Sequence, residues 1–82
     1  MLDRGDHATL DQLDARRLLC PLPVIRTQAR VATLQPGDLL EVIATDPGVR
    51  HDLPAWCRVH GHQLIEIVEQ EREIHVTLEV GG

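Results

Sequence analysis

The sequence predicts a two-layer α/β sandwich of strand, helix, strand, helix, strand, strand, with two helices on one face of a mixed four-stranded sheet. Three observations predict it: apolar residues alternate strictly from Ile74 to Val80, helical periodicity follows Pro21 and Asp52, and the turn signals Pro36-Gly37 and Asp46-Pro47-Gly48 separate the periodic segments. A chain of 82 residues suffices for one hydrophobic core and is short for two. Residues 1–82 are therefore expected to form a single domain, with 1–8 as a loose tail.

A weak first strand is expected near Thr9 to Asp14. The first helix runs from Pro21 to about Leu34, where Leu22, Ile25, Ala29 and Ala32 form an apolar stripe and Arg26, Arg30 and Thr33 fall opposite. Pro36-Gly37 stops it. Asp38 to Thr45 reads as a strand with Leu40, Val42 and Ala44 on one side. Asp52 is expected to cap a second, short helix that tolerates Pro54 in its first turn and ends at Gly61 in a left-handed conformation. Leu64 to Glu69 and Ile74 to Val80 form a hairpin across the polar turn Gln70-Glu71-Arg72-Glu73, and the alternation of the last strand leaves the second sheet face open.

Composition excludes several classes of function. The net charge is -5, all eight basic side chains other than histidine are Arg, and Trp56 is the sole Phe/Tyr/Trp residue. Such a surface repels phosphate backbones and lacks a platform for stacking bases, so protein partners are favoured over nucleic acid. Met1 to Asp14 lacks a signal-peptide apolar region and no window reaches a spanning length, so no membrane association and a cytoplasmic location are expected. Two widely spaced cysteines make no secreted disulfide framework, and a thiol kept reduced is free for chemistry. Nothing calls for a cofactor.

Chemistry is expected at Leu19-Cys20-Pro21-Leu22-Pro23. The first turn of a helix has N–H groups without intrahelical partners, so Pro21 and Pro23 fit there and place Cys20 at the cap or just before it. The dipole and unpaired N–H groups at that end favour an anion, which would activate a thiolate or persulfide without a base. Arg16, Arg17 and Arg26 could add positive potential. On the residues alone, Cys20 is equally readable as a small buried hydrophobe.

With Leu13-Asp14, Leu18-Leu19-Cys20-Pro21-Leu22-Pro23, Pro36-Gly37, Asp46-Pro47, Asp52-Leu53-Pro54 and Gly61-His62 in that order over roughly residues 10 to 80, the chain resembles the TusA/SirA/YedF family of small sulfur-transfer proteins. The resemblance implies a sulfurtransferase acting as a stoichiometric carrier, with a persulfide on Cys20 in the Cys-Pro-x-Pro motif. It further implies a donor such as a cysteine desulfurase or rhodanese-like protein, and an acceptor protein in tRNA thiolation, molybdenum cofactor maturation or sulfur oxidation. Two departures stand out: Arg17 occupies the position where the family usually has Gly, and no Lys lies near the C-terminus.

Other features have plainer readings. Cys57 shares a stripe with Leu53, Trp56 and His60, a core-facing pattern, with a resolving thiol for Cys20 as its functional alternative. A zinc set of Cys57, His60 and His62 lacks a fourth ligand, so no metal is expected. His7, His51 and His75 read as solvated surface. Arg17, Arg26 and Arg30 are candidates for steering an acidic partner. Gly81-Gly82 matches the tail of ubiquitin-like carriers, which hold sulfur as a thiocarboxylate, but is expected to be frayed. The classes left in competition are a persulfide carrier, a non-catalytic interaction or regulatory module, and a Cys20/Cys57 dithiol redox protein.

Overall fold

In the computed structural model, which describes residues 10–82, the order is β1 (Leu10–Ala15), α1 (Leu22–Val31), β2 (Leu39–Ala44), α2 (Val49–His60), β3 (Gln63–Gln70) and β4 (Glu73–Glu79). The expected tail at 1–8 lies outside the described residues, as does His7. The sheet order is β1-β2-β4-β3, with β1 parallel to β2 and β4 antiparallel to both neighbours, the mixed sheet expected from the sequence. A two-residue turn at Glu71 and Arg72, both at positive φ, joins β3 to β4; this is the backbone twist that matches a tight hairpin.

The core is aliphatic. Leu40, Val42 and Ala44 of β2 and Ile74, Val76 and Leu78 of β4 are buried as their alternation predicts, against Val31 of α1 and Val49, Leu53 and Cys57 of α2. Each fully buried Val or Leu contributes roughly 1.5–3 kcal/mol before entropy is charged against it. A register shift between Leu64 and Glu66 marks a bulge that keeps Leu64 and Ile67 turned to the core and Ile65 exposed.

The helices depart from expectation. α1 ends at Val31, three residues before Leu34, and its buried residues are Pro23, Thr27 and Val31. Leu22, Ile25, Ala29 and Ala32, expected inward, are exposed. The reason is that Thr27 hides its polarity: its hydroxyl donates to the Pro23 carbonyl at 2.7 Å and can be buried without penalty. α2 starts at Val49 with Gly48 as its N-cap, so Asp52 lies in the first turn without capping it and Pro54 sits inside the helix. Asp46 organises that start, its Oδ1 accepting the Gly48 N–H at 3.0 Å. Gly61 ends α2 at φ 79 as expected, and the His62 N–H donates back to the Cys57 carbonyl at 2.8 Å.

Two surface readings are also corrected. His75 is half-buried on the open sheet face, Nδ1 3.0 Å from Glu41 and Nε2 3.2 Å from Glu73. The diglycine tail is docked: the Gly81 N–H donates to His62 Nδ1 at 2.9 Å, and a Cβ at Gly81 would run into the Gly61 carbonyl. The His62 imidazole, held below its usual range by burial and by His60, stays neutral to accept that bond while stacking 4.9 Å from the Trp56 ring. A thiocarboxylate arm would have to leave this seat.

Candidate functional site around Cys20

Parallel strands β1 and β2 end side by side, and the chain leaving each turns into a helix. Cys20 follows β1 and Asp46 follows β2, so the thiol stands at the carboxyl edge of the parallel pair. Two anchors fix the approach: the Arg17 N–H donates to Thr45 Oγ1 at 2.9 Å, and the Cys20 N–H donates to Asp46 Oδ2 at 2.7 Å. Cys20 is half-buried, packed against the core on one side and open on the other. Two surface clefts of about 400 and 490 Å³ lie nearby, lined by Thr45, Pro47 and the β3-β4 turn and by Asp14, Arg16, Arg17 and Glu73, and Cys20 lines neither. Cys20 is thus partly accessible from outside rather than enclosed in a pocket.

The expected activation by the α1 terminus is not there. Pro21 is the N-cap, and Pro21 and Pro23 have no N–H to give. The Leu22 N–H goes to the Leu19 carbonyl at 2.9 Å, and the Val24 and Ile25 N–H groups both go to the Pro21 carbonyl at 3.1 Å. The prolines that suit a helix start remove the donors that would have held an anion.

Carboxylates surround the sulfur instead. Gly48 brings the α2 backbone so close that a Cβ there would lie 2.9 Å from Cys20 Sγ, 3.4 Å from Asp46 Oδ1 and 3.7 Å from Asp52 Oδ2. Burial raises the thiol first, and hydrogen bonding to Asp52 with the charges of Asp46 and Asp52 raises it further, to about 12 from an ordinary 9.0. Asp46 is held below its usual range by the Cys20 and Gly48 N–H groups and so stays charged. Neither Asp46 nor Asp52 was read as a site residue, although both belong to the quoted motif; their distance along the chain hid their convergence.

The arginines fall in three places. Arg16 clasps Asp14 at 2.9 and 3.0 Å and reaches Glu73 at 3.2 Å, which spends its charge on the open sheet face. Arg30 ties α1 to β1 through Asp11 Oδ2 at 2.8 Å and the Gln12 carbonyl at 3.0 Å, so it does not stand on a free outer face. Arg17 and Arg26 are exposed. Arg17 has φ 70, the left-handed region, which explains why Gly suits that position and Arg is strained there. At the start of α1 and just before it, Leu19 (73%), Leu22 (42%) and Ile25 (53%) are exposed apolar side chains.

Cys57 does not join the site. It is 1% exposed in the core, and burial raises its thiol. It lies nine residues beyond Gly48 on α2, roughly 13 Å along the axis, whereas a disulfide needs Cα atoms within about 7 Å. Among the described residues no group of three His, Cys, Asp or Glu side chains converges on a metal position. No helix among them is long and apolar enough to cross a membrane.

The family model described as sulfurtransferase TusA matches residues 11–80. The chain belongs to the TusA family. It is 50% identical over 64 residues to a sulfur carrier protein TusA of Pseudomonas aeruginosa, covering 78% of this chain and 81% of that one. A TusA of Pseudomonas paraeruginosa is 50% identical over 58 residues, 71% and 73% of the two chains. The crystal structure of a SirA-like protein from Desulfitobacterium hafniense superposes with a TM-score of 0.77 at 30% identity, covering 88% of this chain and 99% of that one. The two-helix, four-stranded architecture is thus shared with that SirA-like structure.

Proposed function

We propose that this TusA-family protein carries sulfane sulfur as a persulfide on Cys20, taking it from a donor protein and passing it to an acceptor protein. The carrying observation is the Cys20 sulfur itself, set in the Cys-Pro-x-Pro segment and half-open on a surface outside either cleft. In loading, the Cys20 thiolate attacks the outer sulfur of the donor's persulfide, the donor's S–S bond breaks, and the donor cysteine leaves and takes up the proton that Cys20 gave. In delivery, an acceptor nucleophile attacks the outer sulfur and Cys20 is the leaving group. No net oxidation occurs, so no redox cofactor is needed.

Pro21 and Pro23 set the entry to α1 and present Cys20 in one orientation. Leu19, Leu22 and Ile25 supply an apolar rim against which donor and acceptor surfaces, used in turn, exclude water from the transfer. Arg17 and Arg26 steer acidic partner surfaces, while Arg30, paired with Asp11, serves the fold. A cysteine desulfurase or a rhodanese-like protein fits the donor chemistry, and tRNA thiolation, molybdenum cofactor maturation and sulfur oxidation are the candidate destinations.

The test is intact mass after incubation with a cysteine desulfurase and free cysteine. The expected result is a gain of one sulfur, removed by reductant, absent in Cys20→Ser and retained in Cys57→Ser and in a variant lacking Gly81 and Gly82. Normal loading of Cys20→Ser would overturn the proposal.

A further inference from the structure

We propose that Asp46 and Asp52 are positioning residues that hold Cys20 back from its anionic form, so that sulfur is neither picked up nor lost outside a complex with a partner. The inference rests on the persulfide reading of Cys20. Both halves of that reaction pass through the same species, since the thiolate is the attacking form in loading and the leaving form in delivery. Any feature that disfavours the thiolate slows both, and a carrier that must reach its acceptor intact gains from slow loss.

The geometry is specific. Asp46 is fixed by the Cys20 N–H at 2.7 Å and the Gly48 N–H at 3.0 Å, so its carboxylate cannot swing away from the thiol. Asp52 comes from the first turn of α2, and the absence of a side chain at Gly48 is what lets Cys20 Sγ, Asp46 Oδ1 and Asp52 Oδ2 meet over one Cα. From the other side, α1 offers no free N–H at its start. Among the described residues the charged groups that act on the thiol are these two carboxylates, from the β2-α2 loop and from α2; Arg16 and Arg30 are committed to Asp14, Glu73 and Asp11. Burial accounts for part of the rise to about 12 and the carboxylates for the rest. Burial is the first cause and the carboxylates add to it, so positive charge placed beside the pair lifts the part that is charge.

Asp52 is exposed in the first turn of α2, so Asp52→Asn removes a charge and leaves the packing in place. In Gly48→Ala the new Cβ drives Sγ away from the carboxylates by a rotation of the Cys20 side chain. Three readouts apply to the reduced full-length protein. Alkylation of Cys20 by iodoacetamide at about pH 7.5 should rise about tenfold or more in both variants, with the pH profile moved to lower pH. The cationic reagent 2-(trimethylammonium)ethyl methanethiosulfonate should outpace its anionic 2-sulfonatoethyl counterpart about tenfold on the unsubstituted protein, and the ratio should fall towards one in Asp52→Asn. Glutathione should strip sulfur from persulfide-loaded Asp52→Asn several-fold faster, on the order of the alkylation gain.

Alkylation rates, pH profiles and reagent selectivity unchanged in both variants, with the fold verified by circular dichroism, would overturn the proposal. The first two readouts use only the free thiol. If they behave as expected while desulfurase fails to load Cys20, the gate stands and the persulfide reading falls; if loading succeeds and the readouts do not move, the reverse holds.

Discussion

Cys20 and Cys57 are both thiols held above their ordinary range, and both touch α2, yet their silence has different origins. Cys57 sits in the middle of the core beside Leu53, and burial alone raises it. Cys20 lies against the N-terminal end of the same helix, where burial is joined by Asp52 and Asp46. A thiol silenced by packing responds only to opening of the fold, whereas one silenced partly by charge also responds when the charge nearby changes. The contrast separates a structural cysteine from a regulated one more sharply than exposure does, because Cys20 itself is only half-open.

The largest expected effect breaks the comparison directly. With iodoacetamide under native conditions, Cys57 should react more slowly than in guanidinium by a factor on the order of 10³ or more, since access requires opening against the stability of the fold. Cys20 should react in the native state far ahead of Cys57. Equal native rates, measured by peptide mapping of the labelled protein, would erase the distinction drawn here.

The next effect is on stability. Cys57→Ser puts a hydroxyl where the surroundings are aliphatic, and should cost about 1–3 kcal/mol in urea unfolding while leaving sulfur loading intact. Cys20→Ser should show the opposite pattern, with loading abolished and stability changed by less than about 1 kcal/mol.

How far these regions were legible in the sequence follows from the same contrast. Cys57 was readable because Leu53 and Cys57 repeat at helical spacing and nothing polar intervenes. The strands were readable for a similar reason, since Ile74, Val76 and Leu78 alternate with polar residues and bury as expected. α1 misled because its buried face contains Pro23 and Thr27, while its outward stripe of Leu22, Ile25 and Ala29 has the more apolar composition. A polar residue that satisfies itself against its own helix looks exposed in sequence and is not. At the site, the position of Cys20 ahead of a proline-started helix was legible, but its electrostatics were not. The inference from helix start to thiolate assumed free N–H groups, which the prolines and the Leu19 and Pro21 carbonyls remove, and the carboxylates arrive from 26 and 32 residues further along the chain.

Arg17 tests the frame around Cys20 without touching the sulfur. Its φ of 70 costs a side-chain-bearing residue about 1 kcal/mol relative to Gly in the left-handed region, partly returned by the extra freedom Gly has when unfolded. Arg17→Gly should therefore stabilise the protein by no more than roughly 0.5 kcal/mol, read from urea midpoints. Because Arg17 is also a candidate for steering partners, loading by the desulfurase at low salt is the second measurement. A slower rate in a more stable protein would assign the Arg side chain to partner approach; an unchanged rate would leave only the strain.

The smallest effect concerns the arginine that the sequence placed near Cys20 and the structure turns away. Asp14 is held down to about 2 from an ordinary 3.8, first by its hydrogen bonds to the Arg16 guanidinium and next by the Arg16 N–H. A carboxyl lowered on folding contributes stability that is present above its ordinary value and lost as pH falls through the folded one. The stability difference between the protein and Asp14→Asn should thus be constant at neutral pH and close between about pH 4 and pH 2, and it should be small because the pair is exposed and screened by salt. In Asp14→Asn, Arg16 retains Glu73, so the alkylation rate of Cys20 should stay within about twofold of the original. A larger acceleration would mean that Arg16, once released, reaches the thiol, and that Cys20 is governed by charge from the β1 side as well as from Asp46 and Asp52.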